Sequence, residues 1–527
     1  MDHPRNTLRT EAGNGDARTE ISGRKGMRGP AAAGAMRTAP VPSAANIPSR
    51  PIIRAGRNAW RVRAAEKAAF LIDGESYFDR LREVLVQARK SIWIVGWDFD
   101  PEIRLRPHKE PKGETLGGLL RRQVEENEKL EVRILVWSMG PAYSGKSLRL
   151  YTERGWANHP RIHLRFDGKH ALRGSHHQKM VCIDDAVAFV GGIDLTFGRW
   201  DNSEHLARSR HRITHKGDDY GPVHDVQAMV SGAAARAVSD LARDRWKRAT
   251  GESIGGTQAG RQIWPNGFAY EISDCDVAIA RAEPSLFGQN GTHETIRLTA
   301  SALAAARRHI YIETQYLASF VVGKILARRL EESAGPEIVI LTTYSSRGYL
   351  EQVVMGHNRN RLIRRLKKAD HFGRLRVVYA VVPEEDGAER EVLIHSKVLV
   401  VDDRFVRIGS SNLNNRSEGL DTECDIAIEA KTDAHRHLIA GFRNRLIAEH
   451  LDAAPQAVEK CLARTGSLVT AIDELNIRPR GLRAFPVNAH DGKTTPLIGT
   501  GLLDPKEPFW PLQRVFGYIG SLFSRFF

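Results

Sequence analysis

Apolar and polar residues alternate along the chain in two recurring patterns. Phe78, Leu81, Leu85 and Ala88 fall on one face of a helical period, and the apolar run Ile92-Trp93-Ile94-Val95 follows as a strand. Order is expected to begin near Ala69, where Phe70-Leu71-Ile72-Asp73-Gly74 leads into this helix. The second half repeats the arrangement, a helical stretch ending at Ala306-Arg307-Arg308 running into the strand Ile310-Tyr311-Ile312. Further short apolar runs, Ile134-Leu135-Val136 and Ile338-Val339-Ile340-Leu341, alternate with helical stretches in the two copies, which predicts an α/β architecture of sandwich layers.

The repeat has a fixed spacing. His177 follows Ile94 at the same separation at which His395 follows Ile312, so both offsets between copies are 218 (395 − 177 and 312 − 94). Such agreement between unrelated segments is improbable, and the chain reads as an internal duplication. The predicted organisation is a basic arm over 1–62, a first half over 63–255, a linker around Gly251 to Gly267 with a second half over 256–450, and a C-terminal extension over 451–527.

Composition narrows the class. With 527 residues, 41% hydrophobic and 27% charged, the chain has material for two or three globular units. The stretch 1–60 carries ten Lys or Arg against four Asp or Glu and one aromatic, Trp60, too little apolar surface to offset ordering entropy, so this arm is expected to be disordered. A folded lipid-targeting domain is not expected within the residues before Ala69. The formal charge of +15 favours anionic partners, with phospholipid surfaces and nucleic acids both eligible. Cys182, Cys275, Cys424 and Cys461 lack metal or disulfide spacing and read as core or free thiols. No run approaches the ~18 apolar residues of a membrane span, and the N-terminus lacks the apolar stretch of a secretory signal, so a cytoplasmic location or export without a recognisable signal is expected. Near the C-terminus Leu512, Val515, Phe516, Ile519, Leu522, Phe523 and Phe526 form a short amphipathic helix suited either to a membrane surface or to the protein body. The basic run Arg359, Arg361, Arg364, Arg365, Lys367 and Lys368 reads as a solvated helix face, with lipid head groups as the alternative.

The candidate chemistry lies in two matched triplets. His177, Lys179 and Asp184 recur with the same spacing as His395, Lys397 and Asp402. On a strand, alternate side chains share a face, which aims each histidine and lysine the same way. Two ammonium groups around one phosphodiester offset the charge of its transition state. One imidazole attacks phosphorus, while a second, protonated one gives its proton to the leaving alkoxide and later activates water or an alcohol. Asp194 and Asn412, which follow their histidines at equal spacing, are placed to hold phosphate or the surrounding network. No cofactor and no metal is needed, because lysines and imidazoles supply the electrostatic and proton-transfer terms; chelator is expected to leave activity intact.

Both triplets match the HxKxxxxD motif of the phospholipase D superfamily, and Arg173-Gly174-Ser175-His176-His177-Gln178-Lys179, Gly198-Arg199-Trp200-Asp201, His224-Asp225-Val226, Tyr311-Ile312-Glu313-Thr314-Gln315-Tyr316 and Ile408-Gly409-Ser410-Ser411-Asn412-Leu413-Asn414-Asn415-Arg416-Ser417 resemble it too. The resemblance covers roughly residues 69 to 450 and is closest to the branch acting on phosphatidyl lipids. It implies two pseudo-symmetric α/β/α sandwich halves packed as an internal dimer within a monomer, with His177 as nucleophile and His395 as general acid and base. Each imidazole also needs its other ring nitrogen held by an acceptor. Glu423, downstream of His395, and Asp201, downstream of His177, are the candidates, acting across the interface, with Asp184 and Asp402 orienting the motif loops from behind. His176 and the pair His224-Asp225 read as packing or hydrogen-bonding residues. The expected reaction is hydrolysis of a glycerophospholipid such as phosphatidylcholine to phosphatidic acid at a membrane surface through a phosphohistidine, with head-group exchange when an alcohol replaces water. A phosphatidyltransferase resembling cardiolipin synthase is the alternative, and a nuclease is disfavoured by the covalent duplication.

Overall fold

A computed structural model of the chain describes residues 50–146, 155–171, 173–214, 217–257, 262–285, 290–345, 356–496 and 504. Seven strands of each half pair in an order that reads the same from either end. In the first half Ile162–Asp167, Glu131–Trp137 and Ser91–Gly96 run parallel, then Met180–Ile183, Val187–Gly191, Val226–Ser231 and Arg61–Ile72 follow antiparallel. Arg61–Ile72 pairs in turn with Ile272–Glu283, the first long strand of the second half. From there Glu423–Glu429, Phe405–Gly409, Lys397–Val401 and His309–Thr314 continue antiparallel, Glu337–Thr342 and Leu375–Pro383 follow in parallel, and Gly481–Ala484 and Glu389–Glu391 add to Leu375–Pro383 antiparallel. The duplication read from the constant offset is thus a two-fold arrangement of strands about the central pair.

Alternation assigns the two faces. Val181, Ile183, Val187 and Phe189 pack with the helices Asp73–Leu85 and Leu116–Glu126 in a core of the first half that the linker joins through Ile263. Leu399, Val401 and Phe405 do the same with Glu294–Ala305, Phe320–Glu331 and His357–Ala369 in the second. Their neighbours Met180, Cys182, Ala188 and Val190, with Val398, Val400, Val406 and Ile408, enter one core built by both halves. The helices Gly232–Thr250 and Asp433–His450 join that shared core through Trp246 and Phe442. Phe442 meets Phe70 of the first half with ring centroids 4.5 Å apart. All four cysteines are buried and free.

Two expectations change. Order begins well before Ala69: Ile52 and Ala59 are buried, the amides of Ile52 and Ile53 donate to the Glu429 carboxylate, and the first strand starts at Arg61. Averaging composition over the whole leading arm hides its last part, whose backbone is satisfied by the second half. Residues 1–49 and the C-terminal amphipathic pattern lie outside the described residues. The basic run is also not simply a solvated face: Arg361 donates to Thr495 O, Arg364 to Asn488 O and Lys493 O, and Lys367 to Phe485 O and Val487 O, tying the C-terminal extension to the helix. Among the described residues no helix is long and apolar enough to cross a membrane.

Candidate active site

The strand expected to carry each motif starts later than alternation suggests. Met180 begins one strand and Lys397 the other, so both histidines sit in the approach to a strand. Each is instead fixed by the opposite half. The His177 amide donates to Thr422 O at 3.0 Å and the His395 amide to His224 O at 2.8 Å. The next residue in each case offers a carboxylate to the ring: Glu423 lies 3.0 Å from Nδ1 of His177, and Asp225 lies 2.6 Å from Nδ1 of His395. Gly191 pairs with Gln227 and Gly409 with Asp425, so Asp225 and Glu423, each two positions earlier, occupy matching places. Two reciprocal two-point clamps result.

Asp201 is not part of either clamp, which corrects its assignment. Its Oδ2 accepts instead from Arg212 at 2.9 Å and the Val223 amide at 2.9 Å, and lies 3.0 Å from Nδ1 of His205. The connection from Gly191 to Asp225 is more than twice as long as that from Gly409 to Glu423, so a constant offset between copies could not find Asp225. The His224-Asp225 dipeptide is the available signal. Gly192 is required there, because a Cβ would stand 2.1 Å from Asp225 Oδ1.

Asp184 and Asp402, counted with the histidines and lysines in the two triplets, lie apart from them. Both adopt left-handed φ, 52° and 53°. Asp184 accepts from the amides of Arg89, Lys90 and Ser91 at 2.8, 2.7 and 2.7 Å, and Asp402 from those of Arg307, Arg308 and His309 at 2.6, 2.7 and 2.8 Å. Five steps along a strand separate each from its lysine, about 16 Å. They pin the start of the neighbouring strand, at the far end from the histidines.

The two lysines differ in their surroundings. Lys179, 2% exposed, lies 3.1 Å from Asp194 Oδ2 and donates to His177 O at 3.0 Å. Asp194 also accepts from the Trp97 amide at 2.9 Å. Lys397 donates to His395 O and to Gln315 Oε1 at 3.3 Å, and among the described residues it meets no carboxylate directly. Asn412, the counterpart of Asp194, instead takes part in a turn in which its amide donates to Ser417 Oγ at 3.2 Å.

Burial and neighbouring cations set the charges. Burial first, then Lys179 and Lys397, hold the His177 imidazole well below the usual range, and burial with Lys397 and Arg199 does the same to His395. Burial pushes the Lys397 ammonium down to about 7, with Lys179 and Arg199 adding to the effect. It pushes Glu423 up to about 7 against the hydroxyls of Ser410 and Ser417, which donate to that carboxylate at 2.5 and 2.6 Å. His177 and His395 each feel the charges of both lysines, which puts the four groups in one electrostatic neighbourhood. The side chains are 17% and 6% exposed, and each Nδ1 lies on its carboxylate, which leaves Nε2 as the ring nitrogen not held by it. Neutral imidazoles held in this tautomer present a lone pair to an anion flanked by cations. Ser410, Ser417, Gln315 and Arg199 join this arrangement without being singled out by spacing. His176 lies apart, against Asp167 and Arg245 at 3.2 and 2.8 Å.

Known proteins resemble the chain in both halves. A family model for phospholipase D matches residues 84–266, and one for the phospholipase D-like domain of cardiolipin synthase matches residues 300–446. Phospholipase D1 of Saccharomyces cerevisiae is 26% identical over 501 aligned residues, covering 76% of this chain and 29% of that protein. Phospholipase D A of Dictyostelium discoideum is 24% identical over 461, covering 73% and 35%. The chain therefore spans about a third of the length of these relatives. Among solved structures, phosphatidylserine synthase of Haemophilus influenzae Rd KW20 superposes with a TM-score of 0.51 at 14% identity, covering 79% of this chain and 97% of that one, which is a likeness of fold.

Proposed function

The chain belongs to the phospholipase D superfamily and is an enzyme of that class, and from the reciprocal clamps we propose that it cleaves the distal phosphodiester bond of glycerophospholipids, releasing phosphatidic acid. The observation that carries this reading is the pairing of His177 with Glu423 and His395 with Asp225, each across the halves.

Nε2 of His177 attacks phosphorus, forming an N–P bond as the P–O bond to the head group breaks. The departing oxygen takes a proton from Nε2 of His395. In the free enzyme nearby cations keep His395 neutral; the phosphodiester brings the negative charge that lets it hold this proton. His395 then accepts a proton from water, the new hydroxide attacks phosphorus, and the P–N bond breaks. An alcohol in place of water gives head-group exchange. Lys179 and Lys397 stabilise charge on the phosphoryl oxygens, Asp194 holds Lys179, and Glu423 and Asp225 hold the ring tautomers and stabilise the imidazolium as it forms. Asn412 shapes the adjoining turn.

Incubating the purified protein with mixed phospholipids, with and without a primary alcohol, and separately with DNA tests the assignment by product mass. Phosphatidic acid, and phosphatidyl alcohol when alcohol is present, is the expected result. Nucleotides without phosphatidic acid would reject it.

A further inference from the structure

Behind the His395–Asp225 clamp, Asp73, His205, His224 and Glu449 converge from distant parts of the chain. Nε2 of His205 lies 3.1 Å from Glu449 Oε1 and 3.5 Å from Asp73 Oδ2. Nδ1 of His224 lies 3.0 Å from Glu449 Oε1 and 3.0 Å from Asp73 Oδ1. Nitrogen and carboxylate alternate around a closed ring. The corners of a tetrahedron at zinc-ligand distances of ~2.0 Å stand about 3.3 Å apart, the same scale as these contacts. One ligand atom from each residue lies within 4.8 Å of all the others.

Protons alone leave this ring frustrated. Each inward nitrogen carries at most one hydrogen yet faces two carboxylates, Glu449 and Asp73, at 3.0–3.5 Å. Asp73 is 2% exposed, and the donors its oxygens face among the described residues are those same two ring nitrogens, His224 Nδ1 at 3.0 Å and His205 Nε2 at 3.5 Å. Its backbone sits at φ 64°, unfavourable for a non-glycine residue, so the fold holds this carboxylate in place. The outward nitrogens are already committed: His205 Nδ1 to Asp201 at 3.0 Å and His224 Nε2 to Glu313 at 3.0 Å. Arg212 holds Asp201 at 2.9 Å, and the Tyr311 hydroxyl donates to Glu313 at 2.7 Å. Carboxylates behind imidazoles are the usual outer support of metal-binding histidines, because they orient the ring and raise its basicity.

We propose that Asp73, His205, His224 and Glu449 form a closed four-ligand site for a first-row divalent cation of the zinc class. An ion that displaces the two inward ring protons leaves the charge of the cluster unchanged and gives every inward atom a partner. Four protein ligands leave no open position, so the ion is structural and takes no part at the phosphate. Its role is to brace the second clamp: the Asp73 amide donates to Asp225 O at 2.8 Å, and His224 O accepts the His395 amide at 2.8 Å.

Elemental analysis of the full chain, purified from cells grown with added zinc or cobalt, tests this without reference to activity. About one equivalent of metal per chain is expected, with cobalt giving the intense visible bands of a tetrahedral site. Asp73→Asn and His205→Gln should each lose metal and bands, while Glu423→Gln retains both. Metal-free folded wild type, a cobalt spectrum that is not tetrahedral, or full metal content in the two ligand variants would overturn the assignment. The wild-type measurements decide it even if a ligand variant fails to fold.

Discussion

Glu423 of the second half holds Nδ1 of His177 of the first at 3.0 Å, and the Thr422 carbonyl beside it takes the amide of the same histidine at 3.0 Å. Neither half by itself completes a clamped histidine of the proposed site. Substituting Glu423→Gln keeps the volume but removes the charge that fixes the tautomer, and Asp225→Asn does so for His395. Each is expected to lower kcat by about 10²- to 10⁴-fold, the scale seen when a triad carboxylate is neutralised, with the fold retained. Steady-state rates beside circular dichroism check this; retention of more than a tenth of the activity in both variants would contradict it.

Glu423 also sets a pH dependence. Burial raises its pKa from 4.5 to about 7, so the folded protein binds this proton more tightly than the unfolded chain does. Stability therefore declines as pH rises from 4.5 to about 7 and is level above, a loss of about 3 kcal/mol if the whole shift is expressed. Glu423→Gln should be more stable than wild type at pH 8 and lose that advantage by pH 4.5, as read by denaturant unfolding. Protonation of the pair also blocks Nε2, so kcat/KM should rise with pH with an apparent pKa near 7 belonging to the His177–Glu423 unit.

The lysines separate stability from rate. Lys179→Met strands the buried Asp194 carboxylate, and breaking such a pair costs about 3–5 kcal/mol. Lys397→Met removes an ammonium that burial already disfavours, so its stability should change less. Both should lose about 10²- to 10³-fold in kcat. Equal stability losses measured by thermal unfolding would refute the asymmetry.

The strand-pinning aspartates should behave in the opposite way. Asp184→Ala deprives three amides of their acceptor and is expected to cost about 2 kcal/mol or more. Activity per folded molecule should stay within about threefold, since the carboxylate stands about 16 Å of strand from Lys179. A large kcat defect in fully folded protein would return Asp184 to the catalytic set.

Phe442→Ala opens the shared core opposite Phe70 and should cost about 3–5 kcal/mol. Because that core belongs to both halves, unfolding should remain a single transition. Separate melting of two halves would contradict the shared core.

Much of this molecule can be read from its sequence, for physical reasons that also explain what cannot. Alternation and the constant offset expose the strands Ser91–Gly96 and His309–Thr314 and the α/β class, because both strands are buried throughout and sit at equal distances from their motifs. Glu423 is reachable as an acceptor some way past a histidine. Asp225 is not, since the first half inserts a longer connection than the second between its paired glycine and that position (225 − 191 against 423 − 409). Spacing within a half also says nothing about which half a side chain serves. Asp184 and Asp402 share the motif spacing with the lysines, yet the strand between them carries the carboxylates away from the phosphate. The segment 50–60 is hidden because its partners, Glu429 and Ile279, lie far downstream in the chain.

The most direct test is a mass measurement on the His395→Asn protein, quenched in alkali during incubation with a defined phospholipid and then digested. Without the base that activates water in the second step, and given a phosphatidyl p-nitrophenyl ester whose leaving group needs no proton in the first, the enzyme should accumulate a phosphatidyl adduct on the peptide containing His177, and His177→Asn should carry none. An adduct on His395 in the His177→Asn protein, or no base-stable adduct on either histidine while product still forms, would contradict the account.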